Sequence, residues 1–241
     1  MTAVDRTDRY LFGALLVAGA LLVAAGVFHP ILAGDSATQL DVIARTDSWR
    51  LIHWSIAFGY VLATGGLAGL ASMHASRPGG GAARVGASLA MLGYAVSLTG
   101  VLFMLGAAHA LAQSHQLRAS APAADAVFLY ETLHPFALGT LRVGAFAVSL
   151  AIATLGLAVV LDSSRHRWLG WVGVGAGSVG ALVDVVFSER SPLIVTGVGL
   201  AAAWQLLVGL HLLASRARAT ADLQGTSSIT ATAPSTRSAP T

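Results

Sequence analysis

Histidine is the residue with the widest chemical reach in this chain, and four of the eight copies stand near the same, outer ends of apolar runs. They are His29 in VFHPIL, His53 in SWRLIHW, His109 in AAHAL and His134 in TLHPFA. Imidazole is a common metal ligand and haem axial ligand. A shared set of these four would therefore be a cofactor or metal site, for haem or a transition metal, in a redox or metal-handling role. The competing reading is local. Trp49 and Trp54 flank His53, and tryptophans at a membrane border are ordinary interface anchors, so each histidine there can simply bond headgroups or water.

Spacing narrows the chemistry by exclusion. The chain has no cysteine, which removes disulfides, thiolate metal sites, iron–sulfur clusters and cysteine nucleophiles. No HExxH is present, and no histidine pair stands four apart within a span. Glu131-x-x-His134 matches the Glu-x-x-His of di-iron bundles in letters only, because that chemistry needs two such motifs and further glutamates. GGG at 79–81 lacks the lysine and the strand–helix context of a phosphate loop. Ser97, Thr99, Ser149, Thr154, Ser178, Thr196 and Gln205 line no evident ion path.

Two charges stand closest to the apolar interior, Arg142 and Asp184. A charge in hydrocarbon costs at least about 2.5–3.5 kcal/mol and usually finds a partner. An Arg142–Asp184 pair would offset part of that cost beneath the histidines; snorkelling of Arg142 to the headgroups is the alternative.

The elements that must position these residues follow from composition. Charged residues make up 10% of the 241 and apolar ones 55%, with a mean hydropathy of +0.72. Soluble domains carry about 25% charged residues. The chain thus reads as an all-α integral membrane protein, a six-helix transmembrane bundle whose partner is the lipid bilayer. Apolar runs place spans at roughly 10–29, 51–72, 85–109, 136–161, 168–187 and 192–213, each near the ~20 residues a crossing helix needs. The first run is longer than the ~7–15 residues of a signal h-region and lacks a convincing cleavage site, so it reads as a retained anchor.

All fourteen basic residues are arginine, and with the alanine and glycine content this looks like a GC-rich bacterial genome. The expected location is the bacterial plasma membrane. The arginines gather at span ends rather than in one patch, so the pI near 9.9 is no nucleic-acid signal. With the N-terminus inside, Arg6, Arg9, Arg77, Arg84, Arg165, Arg167, Arg216 and Arg218 face the cytoplasm. Arg45, Arg50, Arg118 and Arg190 face outward, and Arg237 is too remote to count. The bias favours both termini inside. Residues 1–9 then form a cytoplasmic segment, 10–214 the membrane domain and 215–241 a disordered tail without apolar period.

At ~1.5 Å per residue, His29 lies about 30 Å from Arg9 and His53 about 29 Å from Ser72, close to the outer edge of the hydrocarbon. Arg142 and Asp184 fall near the same level, and His109 and His134 slightly beyond it. Pro30 is expected to stop the first span at His29, and Pro135 to open the fourth. The outer segments ATQLDVIARTDSW and PAADAVFLYETL have the spacing of short interfacial helices. Residues 69–77, 156–165 and 209–216 end spans alike, a faint repeat that the common need for small polar residues and an arginine also explains. His74 and His211 sit at the inner ends, where the helix dipole favours them. Two functions fit this pattern: an outward-facing histidine site, or a small transporter or accessory subunit of a membrane complex, with homo-oligomers possible, in which the histidines only trim the interface.

Overall fold

The computed structural model describes residues 3–116, 122–162, 166–187, 191, 193 and 195–230. Arg118, Arg165, Arg190 and Arg237, named in the arginine count above, lie outside the described residues, as does the tail from residue 231. Eight α-helices carry the described chain: α1 (Ala3–Ala24), α2 (Ser36–Arg45), α3 (Trp49–His74), α4 (Gly80–Phe103), α5 (His109–Gln116), α6 (Pro122–Asp162), α7 (Arg167–Val186) and α8 (Val195–Thr230). No strand occurs among the described residues. Among the described residues, six stretches are long and apolar enough to cross a membrane: Thr7–Phe28, Trp49–His74, Gly80–Gln116, Ala123–Asp162, Arg167–Val186 and Val195–Ala214. They correspond one for one to the six apolar runs. Helix α8 continues past the last of them to Thr230, into the segment expected to be disordered.

The long helices pack as a closed ring. Each lies along the next in chain order (α1, α3, α4, α6, α7, α8), and α8 returns to α1. Small residues let the backbones approach, as is common between membrane helices. Glycines face each other reciprocally across three of these seams. A Cβ on Gly93 would stand 2.8 Å from the Gly144 oxygen, one on Gly170 2.7 Å from the Gly156 oxygen, and one on Gly209 2.8 Å from the Gly13 oxygen. Leu16, Tyr60, Leu67, Tyr94, Ile152, Leu155 and Trp204 fill the interior. Two polar groups there are tied off: Trp204 donates to the Leu169 oxygen at 3.0 Å, and Gln205 donates to the Tyr94 hydroxyl at 2.6 Å. Large apolar side chains, among them Leu21, Phe58, Val61, Met91, Leu92, Val179 and Leu182, are exposed on the outside of the ring.

Helix α6 corrects two expectations. It runs unbroken through Pro135, so Pro135 does not open the fourth span, and His134 sits within the helix rather than outside its ladder. PAADAVFLYETL is the first part of the same helix, not a separate interfacial one. Proline in a helix interior costs about 3 kcal/mol or more. Upstream packing offsets this, because Ala126 and Tyr130 are buried one turn apart on the inward face. At 41 residues the helix is about 62 Å long, twice the ~30 Å of a hydrocarbon layer. Pro30 behaves as expected. Helix α1 tightens into a 3₁₀ turn at Ala25–Phe28, and His29 leaves it with extended backbone.

Helix α2 closes one end of the ring. Gly34 turns the chain with φ +88°, a left-handed conformation that suits glycine. Asp35 then caps the helix by accepting from the Thr38 N–H at 2.8 Å. Leu40 and Ile43 of α2 are fully buried against Trp49, Met104, Ala108, Ala112 and Tyr130, a second small core separate from the main one.

Candidate functional site

The second core carries the histidines on its margin. Trp49, the first residue of α3, is fully buried. Its indole N–H donates to the Met104 oxygen at 2.8 Å, where α4 widens into a π turn over Met104–Ala108. Such turns disturb the regular ladder and often mark functional sites. The same indole lies 4.9 Å from the ring of His29 and 4.3 Å from that of His53, and the two imidazoles are 5.1 Å apart, edge to face.

The hydrogen bonds define the tautomers. Nδ1 of His29 lies 2.7 Å from the Pro30 oxygen, and Nδ1 of His53 lies 2.7 Å from the Trp49 oxygen. A carbonyl only accepts, so both rings carry their proton on Nδ1. When neutral, each has its lone pair on Nε2. A backbone carbonyl fixing one nitrogen while the other stays basic is the usual support of a metal-binding histidine. Burial lowers the pKa of His29, with the bond to Pro30 opposing it.

His134 belongs to the same neighbourhood. It interacts electrostatically with His29, as His53 does, stacks on Tyr130 at 4.5 Å, and its Nε2 is buried without a hydrogen-bond partner among the described residues. Tyr130 in turn donates to Gln39 of α2 at 3.1 Å. Among the described residues, His109, after the π turn, has a buried Nδ1 without a hydrogen-bond partner and shares none of the ring contacts of the other three. Glu131 is exposed. Of the four expected histidines, His29 and His53 are in contact, His134 is near, and His109 stands apart.

Haem does not fit between the pair. Axial ligands must face each other across the porphyrin plane, whereas Trp49 packs against both rings and holds them edge to face. What the pair offers instead is two adjacent imidazoles, the type of ligand a transition-metal ion takes. Among the described residues, no group of three or more His, Cys, Asp or Glu side chains is placed to hold one ion.

Arg142 and Asp184 do meet, but not as a carboxylate–guanidinium pair. Nε of Arg142 donates to the Asp184 main-chain oxygen at 2.7 Å, and Nη2 donates to the Val185 oxygen at 2.9 Å. The cation thus caps the end of α7, where the dipole is negative. The Asp184 carboxyl turns instead to the Ser149 hydroxyl, 3.2 Å away. This pair lies two turns of α6 beyond His134 and does not join the histidine cluster.

The opposite end of the bundle holds a contact that the local sequence does not announce. His74 at the end of α3 bonds through Nδ1 to Oδ2 of Asp162 at the end of α6. Oδ1 of Asp162 accepts from the Gly79 N–H at 2.5 Å. The two residues are 88 apart in sequence, so the dipole argument for His74 gave no hint of its partner. Nearby in sequence, the rings of His166 and His211 stand 4.5 Å apart. Comparison with protein-family models, curated proteins and solved structures finds no match to this chain.

Proposed function

We propose that the chain is a multi-pass protein of the bacterial plasma membrane, with both termini cytoplasmic and a metal-handling site at the outward end of the bundle. The apolar exterior of the ring supports insertion, because a surface of that extent in water would be an aggregation hazard. The arginine bias supports the orientation. Together they turn the α2 end, with its histidines, away from the cytoplasm.

The observation that carries the metal reading is the matched pair of Nδ1 bonds to main-chain carbonyls. It sets Nε2 of His29 and of His53 as the free ligand atoms of two adjacent rings. Imidazole nitrogen suits zinc, copper and nickel. Two protein ligands leave positions open, which suits an ion that is received and passed on better than a closed structural centre. A bound ion would supply Lewis acidity or, as copper, a one-electron couple. The protein's part is to fix both tautomers, exclude bulk water with α2 and Trp49, and hold His134 close by.

Metal titration of the purified protein, followed by calorimetry and elemental analysis, tests this. One equivalent of copper or zinc should bind, with affinity falling at least about tenfold in H29A and in H53A and little changed in H109A. If H29A/H53A/H134A matches the parent in metal content and in folding, the histidines only trim the interface. The accessory-subunit or transporter reading then takes its place.

A further inference from the structure

Asp184 is 2% exposed, and its carboxyl stands where three helices meet. From α6, Ser149 reaches Oδ2 at 3.2 Å. Oδ1 is buried with no hydrogen-bond partner among the described residues. From α8, Gly197 faces it so closely that a Cβ there would stand 3.0 Å from Oδ1 and 3.1 Å from Oδ2. The charged group facing it from α6 is Arg142, whose described bonds run to the main-chain oxygens of Asp184 and Val185. From α8 the facing residue, Gly197, carries no charge.

Among the described residues, the Ser149 hydroxyl is the one hydrogen-bond donor this carboxyl has, too few to replace the water an ionised carboxylate gives up. An ionisable group inside a membrane helix is conspicuous on those grounds and commonly marks an ion or proton path. A groove of about 460 Å³ is lined by Gly139, Arg142, Val143, Phe146, Asp184 and Val185. A Cβ on Gly139 would meet nothing within 4 Å, so the floor of the groove is open.

We propose that Asp184, with the Ser149 hydroxyl, forms a binding site for a small monovalent cation, a proton or Na⁺, which neutralises the carboxyl and exchanges through this groove. A proton would sit on Oδ2 and be donated to Ser149 Oγ; Na⁺ would lie against the unpartnered Oδ1. Either leaves and returns as the same species, so the step needs no electron carrier. The inference rests on the same placement in the membrane but not on the histidine pair, so a failure to bind metal leaves it standing.

Dicyclohexylcarbodiimide, an apolar reagent for protonated carboxyls, provides the test on the full chain in lipid or detergent. Modification of Asp184 is read by peptide mass spectrometry. Labelling should be lost in D184N and should fall about tenfold per pH unit once the carboxyl ionises. Protection by Na⁺ at fixed pH assigns the site to Na⁺; indifference to Na⁺ with dependence on pH assigns it to the proton. Filling the groove with G139F should slow labelling while leaving the carboxyl in place. Failure of the parent protein to label at any pH down to about 5, near the ordinary carboxylate range, overturns the proposal, as does labelling indifferent to both cations. Neither of those outcomes depends on a variant folding.

Discussion

Trp49 and Met104 lie 55 residues apart in sequence, and one hydrogen bond of 2.8 Å joins the indole of the first to the main-chain oxygen of the second. That bond fastens the start of α3 to the π turn of α4. It also orients the ring against which His29 and His53 both pack. W49F keeps most of the apolar contact and deletes the donor to the Met104 carbonyl. The expected loss is about 1–3 kcal/mol, read as a lower melting temperature, together with weaker metal binding because the histidine rings lose their backing.

The reciprocal glycines predict sharp position dependence. G93A and G170A each press a methyl against backbone of the neighbouring helix and should destabilise by about 1–3 kcal/mol. G175A meets nothing within 4 Å and should be neutral or stabilising by up to about 1 kcal/mol. Thermal unfolding in one detergent compares all three. Equal effects would mean that the helices are not seated this closely.

For His74 and Asp162 a double-mutant cycle is informative. H74A, D162N and the double variant should be non-additive by about 0.5–3 kcal/mol, since each single change strands the other partner at the end of its helix. Additivity within error would dissolve the clasp.

His29 sets a pH dependence. Burial lowers its pKa, so the folded state resists the proton that the unfolded chain accepts near pH 6.5. The stability linked to this group is complete above about pH 6.5 and is lost as pH falls through the folded value. Metal affinity should decline in the same direction, because a proton on Nε2 displaces the ion. The melting temperature measured from about pH 7.5 down to 5 should drop, and H29Q should flatten the curve.

The proposed orientation is open to direct measurement. A reporter fused after Gly80 should read cytoplasmic, and one after Ser120 external. The reverse pattern would turn the histidine pair inward.

Much of the scaffold was legible because apolar runs are local. Each of the six appears as a helix, and Pro30 ends its helix where the missing N–H predicts. Pro135 does not break its helix, and the reason is physical: a proline breaks a helix only if nothing else holds it, and here Tyr130 and Ala126 do. The site was half legible. His53 and His29 could be placed at one level, but their contact depends on Trp49, which reads as an interface anchor and is in fact fully buried. Arg142 and Asp184 were visible as expensive charges. Their actual partners, main-chain oxygens and Ser149, leave no trace in residue type or spacing.

The ring of helices closes through the seam between α1 and α8, where Gly13 and Gly209 touch. That is the one neighbouring pair in the ring not made by consecutive long helices. During synthesis the first helix must therefore wait for the last, and until then its face toward α8 is open to lipid or to an insertion chaperone. A chain halted after α7 would be a horseshoe rather than a ring. Supplying α8 as a separate polypeptide should then restore it, a complementation assay that reads the order of assembly directly.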